Sequence, residues 1–225
     1  MSILDLIFPK TCLGCGKLGG YICISCINKV RIPRPACPVC LNPAIRGMTH
    51  TVCKEPLSLD GLVCLWDYDG VVRKAILALK YKFAVQIAGE ISSYASKRLQ
   101  KLRLLPSNNT VLIPIPLYWY KKNFRGFNQA EEVGKVIAKT LGWTFLRRVL
   151  TKVTSTTSQT ELKRQQRLGN LKDTFAVSPG FSLSEDSTVV LFDDVWTTGS
   201  TLKEAAKVLK QAGAKRVWGL ALSRG

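Results

Sequence analysis

Acidic residues are scarce in this chain. Of its 225 residues, 15 are Asp or Glu against 33 Lys or Arg, which leaves a formal charge of +18. Residues 1–60 carry seven basic against three acidic side chains and the remainder 26 against 12, so the excess is spread over the whole protein. Such a field favours polyanions, whether nucleic acid, anionic lipid or a pyrophosphorylated substrate, or it serves simply as a solubilising surface. Long apolar runs are also missing, and no segment approaches a membrane span, so insertion into a bilayer is not expected. The start, Met1 to Pro9, has neither a basic leader nor a small-residue cleavage site, which predicts a cytoplasmic protein. Histidine is reduced to one residue, His50. No internal repeat or low-complexity tract is evident beyond paired cysteine motifs. Hydrophobic residues make up 46%, enough for a real core, and the length suits one α/β domain with a small appendage.

That appendage is where the cysteines gather. Cys12-Leu13-Gly14-Cys15 and Cys23-Ile24-Ser25-Cys26 form a C-x₂-C pair of pairs, with glycines at 14, 16, 19 and 20 to make the turns. Four thiolates at this spacing can close tetrahedrally on Zn²⁺, and a short, loop-rich segment needs such a staple. Disulfides would require an oxidising compartment, and a redox C-x₂-C would be expected singly. A second set follows: Cys37, Cys40, His50 and Cys53, a Cys₃His site in outline. Cys64 lies in an apolar segment and is read as a core thiol. The expected division is a zinc-binding module over residues 1–56 and a larger domain over 57–225.

The larger domain is organised around one stretch. Val189 to Phe192 is an apolar, β-branched run suited to a strand covered on both faces. Asp193, Asp194 and Val195 follow, then Thr197, Thr198, Gly199, Ser200 and Thr201, then helical spacing from Leu202. Unpaired N–H groups and the positive end of that helix would point into the small-residue loop and make a phosphate cradle. Two carboxylates beside a phosphate cradle would repel bare phosphate. They can instead accept from vicinal hydroxyls or hold Mg²⁺, which fits a ribose 5-phosphate.

Strand spacing recurs at Leu62–Tyr68, 111–116, Trp143–Val149 and Arg216–Leu222, and helical spacing at Val71–Leu79, Ile87–Leu99 and from Asn128 toward Leu141. Asn128 with Glu131 resembles a capping box, and Gly142 a stop. Strands alternating with helices predict an α/β fold with a mainly parallel sheet flanked by helices. The loop after residues 111–116 would lie at the carboxyl edge of the sheet, where Lys121, Lys122 and Arg125 could meet a pyrophosphate. Residues 152–172 form a polar insert. Arg73, Lys74, Lys80, Lys82, Lys97, Arg98, Lys101 and Arg103 form a basic face against Glu90 alone, with Tyr81 and Phe83 able either to stack on bases or to plug the core.

The run from Val190 to Thr201 resembles the phosphoribosyl pyrophosphate (PRPP) loop of type I phosphoribosyltransferases. Together with the cysteine-rich start and Arg125-Gly126-Phe127-Asn128-Gln129, it resembles the ComF family of competence-associated phosphoribosyltransferase-like proteins over nearly the whole chain. The resemblance implies a type I phosphoribosyltransferase fold, PRPP binding with Mg²⁺, a zinc finger, and cytoplasmic handling of transforming DNA, with single-stranded DNA and competence-machinery proteins as partners. It also implies a loop that closes over the reacting sugar, for which residues 152–172 are the place. The second cysteine set departs from some relatives, which have only the first set or a cysteine in place of His50. Two functions compete: phosphoribosyl transfer from PRPP, with no general base identifiable, and a DNA-binding module with an inherited PRPP pocket. A nucleotide-salvage or biosynthetic enzyme with a small nitrogenous acceptor is the alternative.

Overall fold

The computed structural model describes residues 9–79, 84–102, 105, 109–117, 127–152 and 175–225. Five strands form the main sheet: β1 (Gly61–Asp67), β2 (Thr110–Pro114), β3 (Thr144–Phe145), β6 (Thr188–Trp196) and β7 (Arg216–Arg224), in the order β1-β7-β6-β2-β3. Every neighbouring pair is parallel. Val189, Val190, Leu191 and Phe192 are wholly buried, as a strand at the centre of a doubly covered sheet requires.

Alternation along the strands separates two cores. Val63, Leu65, Leu112, Val190, Phe192, Leu220 and Leu222 face α2 (Gly70–Ala78), α3 (Ala84–Leu102) and α4 (Gln129–Leu141). Val111, Ile113, Val189, Leu191 and Val217 face α5 (Ser200–Gln211) and the antiparallel pair β4 (Leu150–Lys152) and β5 (Phe175–Val177). The parallel α/β architecture expected from the sequence is therefore present. No helix among the described residues is long and apolar enough to cross a membrane.

Two local expectations differ. Residues 143–149 do not form one strand: β3 ends at Phe145, and after a turn the chain joins β4 in the second sheet. Arg147 and Arg148 are both exposed, and Arg147 leaves the sheet to pair with Glu131 at 3.1 Å. That ion pair also removes Glu131 from the capping box. Asn128 caps α4 alone, accepting the Ala130 N–H at 3.0 Å and donating to the Ile115 carbonyl at 3.0 Å. Gly142 ends α4 at φ 69°, as the stop signal predicts.

The N-terminal module holds α1 (Ile24–Lys29) and repeats one knuckle. The Cys12 N–H donates to the Lys17 carbonyl and the Gly16 N–H to the Cys12 carbonyl, both at 2.8 Å; Cys37 with Asn42, and Leu41 with Cys37, repeat the pattern at 2.9 Å. The fifth residue of each knuckle has positive φ, 76° at Gly16 and 63° at Leu41. A leucine in that region is strained by roughly 1–2 kcal/mol. Leu41→Gly is therefore expected to stabilise the module by about 1 kcal/mol, read as a higher melting temperature or slower amide exchange between residues 37 and 53.

The module is clamped to the main domain. The Glu90 carboxylate on α3 accepts the Tyr21 and Ile22 N–H groups at 3.1 and 2.8 Å, and the Tyr94 hydroxyl donates to the Ile22 carbonyl at 3.0 Å. Cys12, Ile22, Ile27 and Val30 join the core beneath α2 and α3.

Candidate functional site

Asp193 and Asp194 lie near the end of β6. The strand continues two residues beyond them, because Val195 and Trp196 pair with Ser223 and Arg224 of β7. The loop proper is thus Thr197 to Gly199. Thr197 and Thr198 are exposed, and α5 begins at Ser200. Gly199 caps α5 at φ 74°, and a Cβ built there would lie 2.1 Å from the buried Trp196 ring. Glycine is needed here on both counts. The Thr198 hydroxyl accepts the Ser200 N–H at 3.4 Å and donates to the Ser200 hydroxyl at 3.2 Å. The first-turn amides of Thr201 and Leu202 have no intrahelical acceptor and point at the loop.

The acid pair is electrostatically unsatisfied. Burial, then repulsion by Asp194, pushes the Asp193 carboxyl far above the usual carboxylate range, to about 8. The Asp194 N–H, donating to Asp193 Oδ1 at 2.9 Å, pulls the other way, as does the charge of Lys152. A site that makes its own carboxylate hard to ionise favours a cation or hydroxyl donors arriving there. This donor set therefore fits Mg²⁺ or a sugar diol. Lys152 at the end of β4 was not singled out by sequence reasoning; the only signal was its place at the start of the polar insert. Ser223, whose hydroxyl donates to the Asp194 carbonyl at 3.4 Å, carried none.

The topology places this loop at a switch point. From β2 the chain crosses by α4 to β3 on one side; from β6 it crosses by α5 to β7 on the other. The two helices lie on opposite faces of the sheet. Ligands of open α/β sheets bind where such crossovers diverge, beyond the carboxyl ends of the strands. The segment after β2 that holds Lys121, Lys122 and Arg125 leaves from the same place, but those three side chains lie outside the described residues. So do the greater part of the expected closing loop and Lys80, Tyr81, Lys82, Phe83 and Arg103. Of the basic face, Arg73, Lys74, Lys97 and Lys101 are exposed, whereas Arg98 is half-buried with its guanidinium over the Trp66 ring at 5.7 Å.

At the other end of the chain the predicted metal ligands converge. The donor atoms of Cys12, Cys15, Cys23 and Cys26 all lie within 4.8 Å of one another, as do those of Cys37, Cys40, His50 and Cys53. Cys12 Sγ accepts the N–H groups of Gly14 and Cys23 at 3.4 Å. Burial opposes ionisation of Cys12, but backbone N–H groups of Cys23, Cys15 and Gly14 outweigh it and lower the thiol to about 6. Cys26 moves the opposite way, to about 12, through hydrogen bonding to Cys23 and Cys15 and through burial. Four crowded thiols cannot all ionise without a cation among them, so the set fits a soft divalent metal. His50 Nδ1 lies 3.4 Å from Cys40 Sγ, and its Nε2–H donates to the Pro43 carbonyl at 3.1 Å, which leaves the Nδ1 lone pair for a metal.

Comparison with known proteins agrees with both ends. Residues 3–64 match the double zinc ribbon domain family, and residues 84–222 match the phosphoribosyl transferase domain family. Competence protein F of Haemophilus influenzae is 31% identical over 75% of each chain. The chain belongs to the ComF family. DNA utilization protein YhgH of Shigella flexneri is 30% identical over 87% of each chain. Competence protein ComFC of Bacillus subtilis is 26% identical, covering 85% of this chain and 79% of its own. This ComF protein thus joins a double zinc ribbon to a phosphoribosyltransferase domain, and the crowded Cys₄ and Cys₃His sets both lie within the residues matched to the ribbon, where their donor atoms could each hold a metal ion. Metal removal by a chelator is expected to abolish amide protection over residues 10–53 while the sheet stays folded, which hydrogen exchange measures.

Proposed function

We propose that this ComF protein binds PRPP with Mg²⁺ beyond the carboxyl ends of β2 and β6. The 5-phosphate sits at Thr197, Thr198, Gly199, Ser200 and Thr201, next to Val195. The ribose hydroxyls reach Asp193 and Asp194, and the pyrophosphate meets Lys121, Lys122 and Arg125. The observation that carries this reading is the acid pair set at the switch point, one short loop before a helix N-terminus. Magnesium, when bound, neutralises charge on the pyrophosphate. The protein's own residues fix the sugar and its phosphate tail. An acceptor lone pair then forms the new bond at C1 as the C1–O bond breaks and its electron pair leaves with pyrophosphate.

The reading extends to the handling of single-stranded DNA in the cytoplasm, with competence-machinery proteins as partners. It is supported by the relatives' names, the +18 charge and the exposed Arg73, Lys74, Lys97 and Lys101. DNA binding is expected to weaken steeply with salt. Lys97→Glu with Lys101→Glu should weaken it further and leave PRPP binding unchanged. Pyrophosphate release from Mg·PRPP, measured with single-stranded DNA and with free nucleobases, identifies the acceptor. Release with a nucleobase alone would favour a salvage enzyme. No DNA binding at low salt would remove the DNA role.

A further inference from the structure

A cavity lies apart from the acid pair, along the outer edge of β1. The chain joining the two ribbons, Ile32-Pro33-Arg34-Pro35-Ala36, roofs it, and Val63 and Leu102, which share the α2–α3 face of the sheet, give it apolar lining. Its volume is about 130 Å³. An apolar cavity of about 150 Å³ holds a benzene molecule, so this one has room for a body of roughly five carbon atoms.

The roof is fixed at both ends. The Asp67 N–H donates to the Arg31 carbonyl at 2.9 Å, and the Ala44 N–H donates to the Pro35 carbonyl at 3.1 Å. Two prolines restrict the backbone on either side of Arg34, which lines the space. The space therefore persists in the folded protein and is not a gap beneath a loose loop.

Among the described residues its charged lining is Arg34 and Arg224, and no acid is among them. Neither arginine belongs to an ion pair among the described residues. Asp67, the strand neighbour of Arg224 in the β1–β7 register, is bridged to Arg31 instead. Arg224 is half-buried, where an unpaired guanidinium costs more than at the open surface. An apolar slot with two unpaired cations and no anion has a definite complement.

We propose that this cavity binds a small organic anion, a short branched aliphatic body carrying a carboxylate or phosphate head, with the body against Val63 and Leu102 and the head held by Arg34 and Arg224. The site is independent of the PRPP reading. Its ligand would bridge the ribbon linker and the sheet edge.

The test uses the full-length, zinc-loaded protein with methyl-labelled Leu and Val, titrated by NMR with 3-methylbutanoate, 3-methylbutyl phosphate, 3-methylbutanol and inorganic phosphate. Saturable shifts of the Val63 and Leu102 methyls are expected with both organic anions, and whichever binds more tightly identifies the head group. The alcohol and inorganic phosphate should each bind at least about tenfold more weakly. Arg34→Gln with Arg224→Gln should erase the preference for the anions over the alcohol. Both side chains are at least partly exposed, so the fold should survive, and unchanged methyl dispersion would show that it does. Equal binding of alcohol and anions, inorganic phosphate as tight as its ester, anion binding unaltered in the double variant, or no methyl shifts through the millimolar range would each overturn the proposal.

Discussion

Asp193→Asn together with Asp194→Asn is expected to abolish measurable Mg-dependent PRPP binding. Two charge-assisted hydrogen bonds at about 1.5–3 kcal/mol each correspond to roughly a 10²–10⁴-fold loss in affinity. The same region should become more stable, which separates a binding defect from misfolding. Asp193 binds its proton more tightly in the folded protein than in the unfolded chain, because burial and Asp194 both disfavour its charge. For an acid with a raised folded pKa, stability falls as pH rises from the ordinary carboxylate range near 4 through about 8. Asp193→Asn removes that penalty and keeps the oxygen that accepts the Asp194 N–H. The single variant should therefore melt higher than wild type at pH 8, by on the order of 2 kcal/mol or about 4–8 °C. The difference should shrink toward zero below about pH 4. Calorimetry across pH measures both the size and the sign.

Gly199→Ala should act in the opposite direction on stability and in the same direction on binding. Positive φ costs an alanine about 1–2 kcal/mol. Displacing the Trp196 ring, against which the new Cβ would lie at 2.1 Å, adds overpacking of about 1–3 kcal/mol. Trp196 cannot yield easily: it is 2% exposed, the Gly225 N–H donates to its carbonyl at 2.9 Å, and the Lys203 ammonium lies over its ring at 5.7 Å. The expected loss is roughly 2–5 kcal/mol, or about 4–20 °C in melting temperature. PRPP affinity should fall with it, since the loop and the first turn of α5 shift together. Thr197→Ala is the control: Thr197 is exposed, so only the phosphate contact should weaken.

Much of this was legible in the sequence because it depends on local spacing. The run Val189–Phe192 ahead of two acids and a Thr-Thr-Gly loop predicts strand, loop and helix with no tertiary information. The C-x₂-C pairs likewise set their own geometry, and His50 falls into the second cluster as its three-residue spacing from Cys53 suggests. What was not legible depends on partners distant in sequence. The β6 strand outlasts the aspartates because β7 continues beside it, and nothing in residues 193–196 announces that. Glu131 looked like a cap residue until Arg147, 16 positions away, claimed its carboxylate. Glu90 appeared as the lone acid on a basic face, yet its function is to hold the backbone of Tyr21 and Ile22 some 68 residues earlier. Arg98 belonged to the same face by periodicity and instead covers Trp66. Lys152, the cation that eases the charge of Asp193, is brought there by a second sheet for which the sequence gives no pairing signal.

The central claim is that a phosphorylated ribose docks where β6 passes into α5. Isothermal titration of the zinc-loaded protein with PRPP, with and without Mg²⁺, tests it most directly when run beside Asp193→Asn/Asp194→Asn. Saturable, Mg-dependent binding by wild type that vanishes in a double variant of undiminished melting temperature is the predicted result. Wild-type affinity in that variant would contradict the account.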